Sequence, residues 1–376
     1  MKIAVPSEIH PGETRVALTP ESAGRLVKLG AEVAVQGGLG RHIGASDADY
    51  EKAGAIVVAD REALVRGADL VLRVRQPPEA ELGWLRRGSI HVSYLDPFNQ
   101  GALTASLAAA GVSAISMEML PRTTLAQKMD ALSSQASLAG YVAVILAAQK
   151  LHRVFPMMMT PAGTINPANV LVLGAGVAGL QAIATAKRLG ARVTAFDIRP
   201  SSAAEVESLG ARFLKIDLGE VGQTKEGYAR ELSPEQLAKQ REGQAKACAS
   251  SDIVITTAQV FGRRAPVLVD KATLARMKPG SVVVDMAVES GGNVEGSVAD
   301  EEVVLGGVTI LGVSNLPGRV PDNASQMYAN NLASLVEHFW DKEAKAMRLD
   351  RADEILKGCL LTHGGEIVNE RLRAER

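Results

Sequence analysis

The stretch from Val170 to Asp197, VLVLGAGVAGLQAIATAKRLGARVTAFD, constrains the fold more than any other part of this chain. An apolar run leads into Gly174, Gly176 and Gly179, a helical pattern follows to Leu189, and a second apolar run ends at Asp197. Strand, glycine turn, helix and strand in that order form a βαβ unit whose first turn can cradle a dinucleotide. Gly174 permits the tight turn, Gly176 lets the backbone approach a pyrophosphate, and Gly179 allows the helix to lie close on the strand. The pyrophosphate then rests on the helix N-terminus, where backbone N–H groups point outward. Asp197 stands where a carboxylate accepts hydrogen bonds from the adenosine ribose and repels a 2′-phosphate, which favours NAD over NADP. Arg199, two residues on, is a side chain of the type that holds a 2′-phosphate. Val177, Ile198, Gln240 and Gln259 complete the cofactor-binding set with these positions.

A chain of 376 residues, 47% of them hydrophobic, is too long for one ordinary domain and has ample material for two cores. Short β-rich runs at 2–6, 32–36, 55–58, 69–74, 89–94 and 113–116 alternate with helical patterns, as do those from 169 onward. This predicts an α/β protein of two doubly wound, Rossmann-like domains with mainly parallel sheets. The predicted domains are 1–132 with 315–376, of catalytic type, and 133–314, which binds the nucleotide. The segment 218–246 is long for a connection and can form a surface helix around 234–247. The three methionines at 157–159 read as adaptable core packing. The uncharged stretch 131–149 begins too polar for a membrane span and reads as a buried helix.

Lys+Arg 41 against Asp+Glu 42 leaves a formal net charge of -1, so no global field draws the chain to nucleic acid or anionic lipid. The ligand is expected to be a small molecule. Cys248 and Cys359 lack metal-type spacing and read as buried thiols of a reducing compartment. The six histidines form no spaced cluster, and no metal is expected. The start MKIAVPSE lacks a secretory signal pattern, which predicts a cytoplasmic location.

Three stretches carry a family resemblance: the opening AVPSEIHPGETRVALTP, the glycine motif, and MKPGSVVVDMAVESGG. They resemble the superfamily that contains alanine dehydrogenase and the NAD(H)-binding component of proton-translocating transhydrogenase, and the likeness covers nearly the whole chain. The dehydrogenase pattern has a Lys where this chain has Arg75, in Arg73-Val74-Arg75-Gln76-Pro77, and a catalytic His where it has Asp96. Glu289 replaces the Asp expected after VDMAV. An Arg cannot deprotonate to serve as a base. Arg15 and Arg75 match anion-holding positions, and each is equally suited to a structural ion pair.

The segment 119–141, MLPRTTLAQKMDALSSQASLAGY, is similar to the transhydrogenase stretch that reaches the nicotinamide end of NAD(H). The resemblance implies that Arg122, Gln127, Asp130 and Ser133 contact the nicotinamide, its ribose or the pyrophosphate, with Gln127 also meeting the partner nucleotide. Asp130 and Ser133 are equally the residue types that cap a helix start. EGYARELSPEQ is similar to the mobile loop that closes over nucleotide, which makes Gly227 and Tyr228 lid residues.

Taken together, the resemblance implies direct hydride transfer from NADH on this chain to NADP⁺ on a partner subunit. It also implies membrane-embedded partner subunits in other chains, a peripheral position at the inner face of the cell membrane, and a homodimer. Two other readings remain: a free-standing alanine-type dehydrogenase, which would turn over amino acids, and a non-catalytic NAD-binding sensor, which would exchange no hydride with a partner.

Overall fold

The computed structural model describes residues 1–217 and 233–374. The chain divides into two compact units, Met1–Gln135 with Pro317–Arg376, and Ala136–Leu316. The first unit opens with β1 (Lys2–Val5), α1 (Pro20–Lys28), β2 (Glu32–Gln36), α2 (Asp47–Lys52), β3 (Ile56–Val58) and α3 (Arg61–Arg66). It continues through β4 (Leu70–Leu72), β5 (Ile90–Ser93), α4 (Gly101–Ala109) and β6 (Ser113–Ser116) to α5 (Ala131–Lys150), within which the boundary falls.

The second unit has a hairpin of β7 (Met158–Thr160) and β8 (Gly163–Ile165), then β9 (Asn169–Leu173), α6 (Val177–Arg188), β10 (Arg192–Phe196), α7 (Ser202–Ser208) and β11 (Arg212–Phe213). After α8 (Pro234–Ser250) come β12 (Ile253–Thr256), α9 (Lys271–Leu274), β13 (Val282–Asp285), β14 (Glu301–Leu305) and β15 (Val308–Gly312). The chain then re-enters the first unit with α10 (Pro321–His338), β16 (Trp340–Asp341), β17 (Ala346–Met347), α11 (Glu354–Cys359), β18 (Leu360–His363), β19 (Glu366–Ile367) and α12 (Glu370–Ala374).

Both sheets are doubly wound. The first runs β19-β18-β6-β5-β4-β1-β2-β3, and its strands from β6 to β3 are all parallel. The second runs β11-β10-β9-β12-β13-β15-β14, with only β14 antiparallel to its neighbour. Each sheet reverses its winding beside its first strand, at β1/β4 and at β9/β12, and such switch points open a crevice at the carboxyl ends of the strands. β4, β5, β6, β12 and β13 are buried at every position, as strands covered by helices on both faces must be. The predicted α/β class with two Rossmann-like, mainly parallel sheets is the one found.

Alternation along β9 divides the second unit's core. Val170 and Val172 pack on one face with Ala143, Val144 and Ala147 of α5 and Ala182 of α6, while Leu171 and Leu173 face Cys248 and Val254 on the other. By length and composition α5 is apolar enough to cross a membrane, but those three residues lie fully buried in this core. Gly140 explains how closely it packs: a Cβ there would fall 2.1 Å from the carbonyl oxygen of Ala178.

Two local expectations are corrected. Met157, Met158 and Met159 do not fill a core but stand exposed at the β7–β8 hairpin, whose strands are exposed at every position. α8 is not purely a surface helix, since it buries Gln240, Gln244, Ala245 and Cys248. It starts where Ser233 and Gln236 form a reciprocal capping box with Pro234 in the first turn. Both cysteines are free and buried, and burial pushes each thiol up to about 12.

Candidate nucleotide-binding site

The glycine turn lies at the carboxyl end of β9, beside the switch point. Gly174 has φ +106°, a conformation open to glycine, and a Cβ there would fall 2.3 Å from Thr257 Oγ1. At Gly179 a Cβ would fall 1.9 Å from the carbonyl oxygen of Gly174, so α6 can press against the turn only without a side chain. Gly176 differs, because nothing lies within 4 Å of where its Cβ would be. It is the N-cap of α6 and makes no side-chain cap, which leaves the first N–H groups of the helix available to an anion. Val177, exposed, begins that helix.

Asp197 follows β10 and ties itself to the turn. Its Oδ2 accepts from the Ala175 N–H at 2.8 Å, and its Oδ1 from the Arg199 N–H at 2.8 Å. The Arg199 guanidinium also forks onto the carboxylate, Nε to Oδ1 at 3.0 Å and Nη2 to Oδ2 at 3.0 Å. Ile198, between them, packs against the core on the α8 side of the sheet.

The loops after β12 and β13 are joined by Asn293 and Asp285, residues that sequence reasoning missed. Asp285, fully buried, accepts from the N–H groups of Ala287, Asn293 and Val294. The Asn293 side chain accepts from the Ala258 N–H and donates to the carbonyls of Ala258 and Pro266. Thr257 donates to the carbonyls of Leu173 and Gly174, holding the glycine turn from across the switch point. The Asp at the end of an apolar strand and the Asn after a glycine pair were the available signals. Gln259, exposed nearby, donates to the Met286 carbonyl at 3.0 Å. Gln240 lies on the buried face of α8, and among the described residues its Oε1 has no hydrogen-bond partner. Gly227 and Tyr228 lie outside the described residues.

In the first unit, Asp130 precedes α5 and accepts from the Ser133 N–H at 2.9 Å and the Ser133 hydroxyl at 2.6 Å. This is a helix cap, and it also holds the two side chains together. Gln127, in the short turn before it, and Arg122 are exposed.

Close to the β1/β4 switch point lies a buried charge cluster. Arg15 donates to both Glu13 oxygens, Nε at 2.8 Å and Nη2 at 2.7 Å, while its Nη1 reaches Gln135 Oε1 at 2.9 Å. Arg75 Nε donates to the same Glu13 at 2.7 Å. Burial by itself would raise the Glu13 carboxyl, but the two arginines override it and hold it down to about 2. Arg73, fully buried, pairs with Glu81.

Asp96 has φ +46°, in the left-handed region, and its N–H with that of Leu95 donates to buried Glu118. Burial raises the Asp96 carboxyl, opposed by a hydrogen bond from Asn99. In the second unit Glu289 accepts from the Asn315 N–H at 3.1 Å. Among the described residues no group of three or more His, Cys, Asp or Glu is placed to hold a metal ion.

Two family models match the chain: alanine dehydrogenase/PNT, N-terminal domain, over residues 4–139, and its C-terminal domain over residues 143–370. The chain is 43% identical to the first portion of NAD(P) transhydrogenase subunit alpha of Rhodospirillum rubrum, a separate polypeptide there, over 382 aligned residues that cover 100% of both. Among solved structures, a transhydrogenase from Sinorhizobium meliloti is similar with a TM-score of 0.88 at 44% identity, covering 98% of this chain and 100% of that one. An L-alanine dehydrogenase gives a TM-score of 0.82 at 30% identity, covering 100% of this chain and 98% of that one.

Proposed function

The chain belongs to the alanine dehydrogenase/PNT family, and on that premise we propose that it is the NAD(H)-binding component of a proton-translocating NAD(P) transhydrogenase. The observation that carries this reading is Arg75, paired with Glu13 at a position where the dehydrogenase pattern has Lys. A guanidinium does not exchange protons near neutrality, so this position supplies no acid or base for a keto acid. The higher identity to transhydrogenase, 44% against 30% for the alanine dehydrogenase, points the same way.

Transhydrogenation requires no such group. A hydride leaves C4 of the bound NADH with both bonding electrons and joins C4 of NADP⁺ held by a partner subunit, and no proton passes through a side chain. Catalysis is then positioning and exclusion of water. The α6 N-terminus holds the pyrophosphate and Asp197 the adenosine ribose. Arg122, Gln127, Asp130 and Ser133 orient the carboxamide and nicotinamide ribose, Gln127 also meets the partner's nucleotide, and Gly227 and Tyr228 close the lid. Gln240 and Gln259 complete the cofactor contacts.

The partners are membrane-embedded transhydrogenase subunits and their NADP(H)-binding domain, with this chain peripheral at the cytoplasmic face. The exposed Met157, Met158, Met159 and Ile165 of the β7–β8 hairpin support a homodimer, since a second copy would cover them.

Fluorescence titration with NADH and NADPH, with alanine and pyruvate turnover assayed on the same samples, tests the reading. It predicts NADH-selective binding with no amino-acid turnover. Alanine-dependent reduction of NAD⁺ would establish the dehydrogenase instead.

A further inference from the structure

Asp197 by itself accounts for a preference against a 2′-phosphate by charge repulsion, yet an arginine stands two residues away, of the type that accepts such a phosphate. The geometry explains how the two coexist. Both carboxylate oxygens of Asp197 receive the Arg199 fork, at 3.0 Å each, and the backbone N–H of Arg199 adds a third bond at 2.8 Å. The Asp197 side chain is 9% exposed and that of Arg199 30%, so the pair is partly shielded from water and its attraction is less screened than on an open surface. Oδ2 also accepts from Ala175, and Arg199 Nη2 lies 3.4 Å from the Ala175 carbonyl. The guanidinium is therefore held against the glycine turn, beside the carboxylate that would bind the ribose.

We propose that Arg199 is a latent 2′-phosphate binder sequestered by Asp197, so that the pair, and not the carboxylate alone, excludes NADP(H). This rests on the NAD(H)-binding reading above. A 2′-phosphate approaching the site meets the carboxylate's repulsion and also an arginine already committed to that carboxylate. To use the arginine it must break a two-point charged hydrogen bond. Such exclusion suits a chain that must leave NADP(H) to its partner subunit.

The test is a double-mutant cycle. Asp197→Asn keeps an amide oxygen for the Ala175 N–H but removes the charge, and its NH₂ cannot accept from a guanidinium. NADH and NADPH affinities are measured by fluorescence at low salt for the wild type, D197N, R199A and D197N/R199A. D197N should weaken NADH binding and strengthen NADPH binding about tenfold to a hundredfold, the range expected for hydrogen bonds to a charged group. R199A in the D197N background should abolish most of that gain, and R199A alone should gain no NADPH binding.

Equal NADPH affinity in D197N and D197N/R199A would overturn the proposal, because repulsion alone would then explain selectivity. A wild type that binds no NADH would instead sink the nucleotide-binding reading, before the pair is reached. Circular dichroism checks the fold of each variant, and Asp197→Ser repeats the cycle with a smaller side chain if D197N is unfolded.

Discussion

At Gly176 and Gly179 one turn contains two glycines under different constraints, and substitution separates them. Gly179→Ala places a methyl 1.9 Å from the Gly174 carbonyl oxygen, so the helix or the turn must move, at a cost of about 2 kcal/mol or more. A urea midpoint well below that of the wild type is expected. Gly176→Ala meets no protein atom within 4 Å, and stability should stay within about 0.5 kcal/mol. Its methyl enters the space through which a pyrophosphate approaches, so NADH affinity should fall about tenfold or more while the melting curve stays put. Weakened stability with intact NADH binding in Gly176→Ala would reverse these roles.

Glu13 makes a prediction of a different kind. Glu13→Gln leaves buried Arg15 without its counter-charge and should cost about 3–5 kcal/mol at neutral pH. The Glu13 carboxyl is depressed from 4.5 to about 2 in the folded protein, so the stability it contributes is complete above about pH 4.5 and is lost as pH falls toward 2. Chemical denaturation across that window should show a steeper loss for the wild type than for the variant. Parallel slopes would assign the acid sensitivity to other groups.

Among the elements, the β7–β8 hairpin is where sequence reasoning and structure disagree. Three consecutive methionines are compatible with a core or with an uncovered hairpin, and composition cannot choose because burial depends on what packs against them. Replacing Met158 and Met159 with Ser should convert the proposed homodimer into a folded monomer in sedimentation experiments. A dimer that survives both changes would locate the interface elsewhere.

The strands, α6 and the long α5 were legible because their apolar periodicity and flanking glycines are local properties. The cofactor-binding glycines were legible for the same reason. The fork of Arg199 onto Asp197 was not, since spacing places both residues at a strand end but does not say whether the arginine faces a ligand or its neighbour. The Asp285–Asn293 clamp escaped notice because it joins two loops through backbone groups, which leave no pattern in side-chain type. Asp130 and Ser133 matched two descriptions from sequence, and the structure shows them bonded to each other as a cap.

On the scale of the whole molecule, each unit carries a parallel sheet wound in the same order about its own switch point. The second unit has an open glycine turn at that point, while the first has a charge cluster in which Glu13 joins Arg15 and Arg75. A chain that retains the nucleotide turn but has Arg75 and Asp96 at the dehydrogenase reaction positions is suited to presenting a nucleotide. The account's central claim is that this chain gives a hydride to NADP⁺ on a partner. The direct measurement combines the purified chain with the NADP-binding partner subunit and supplies NADH carrying deuterium at the transferred C4 position. The account predicts that deuterium appears at C4 of NADPH without exchange into water, and only when both proteins are present. No transfer to NADP⁺ in the presence of a competent partner would contradict it.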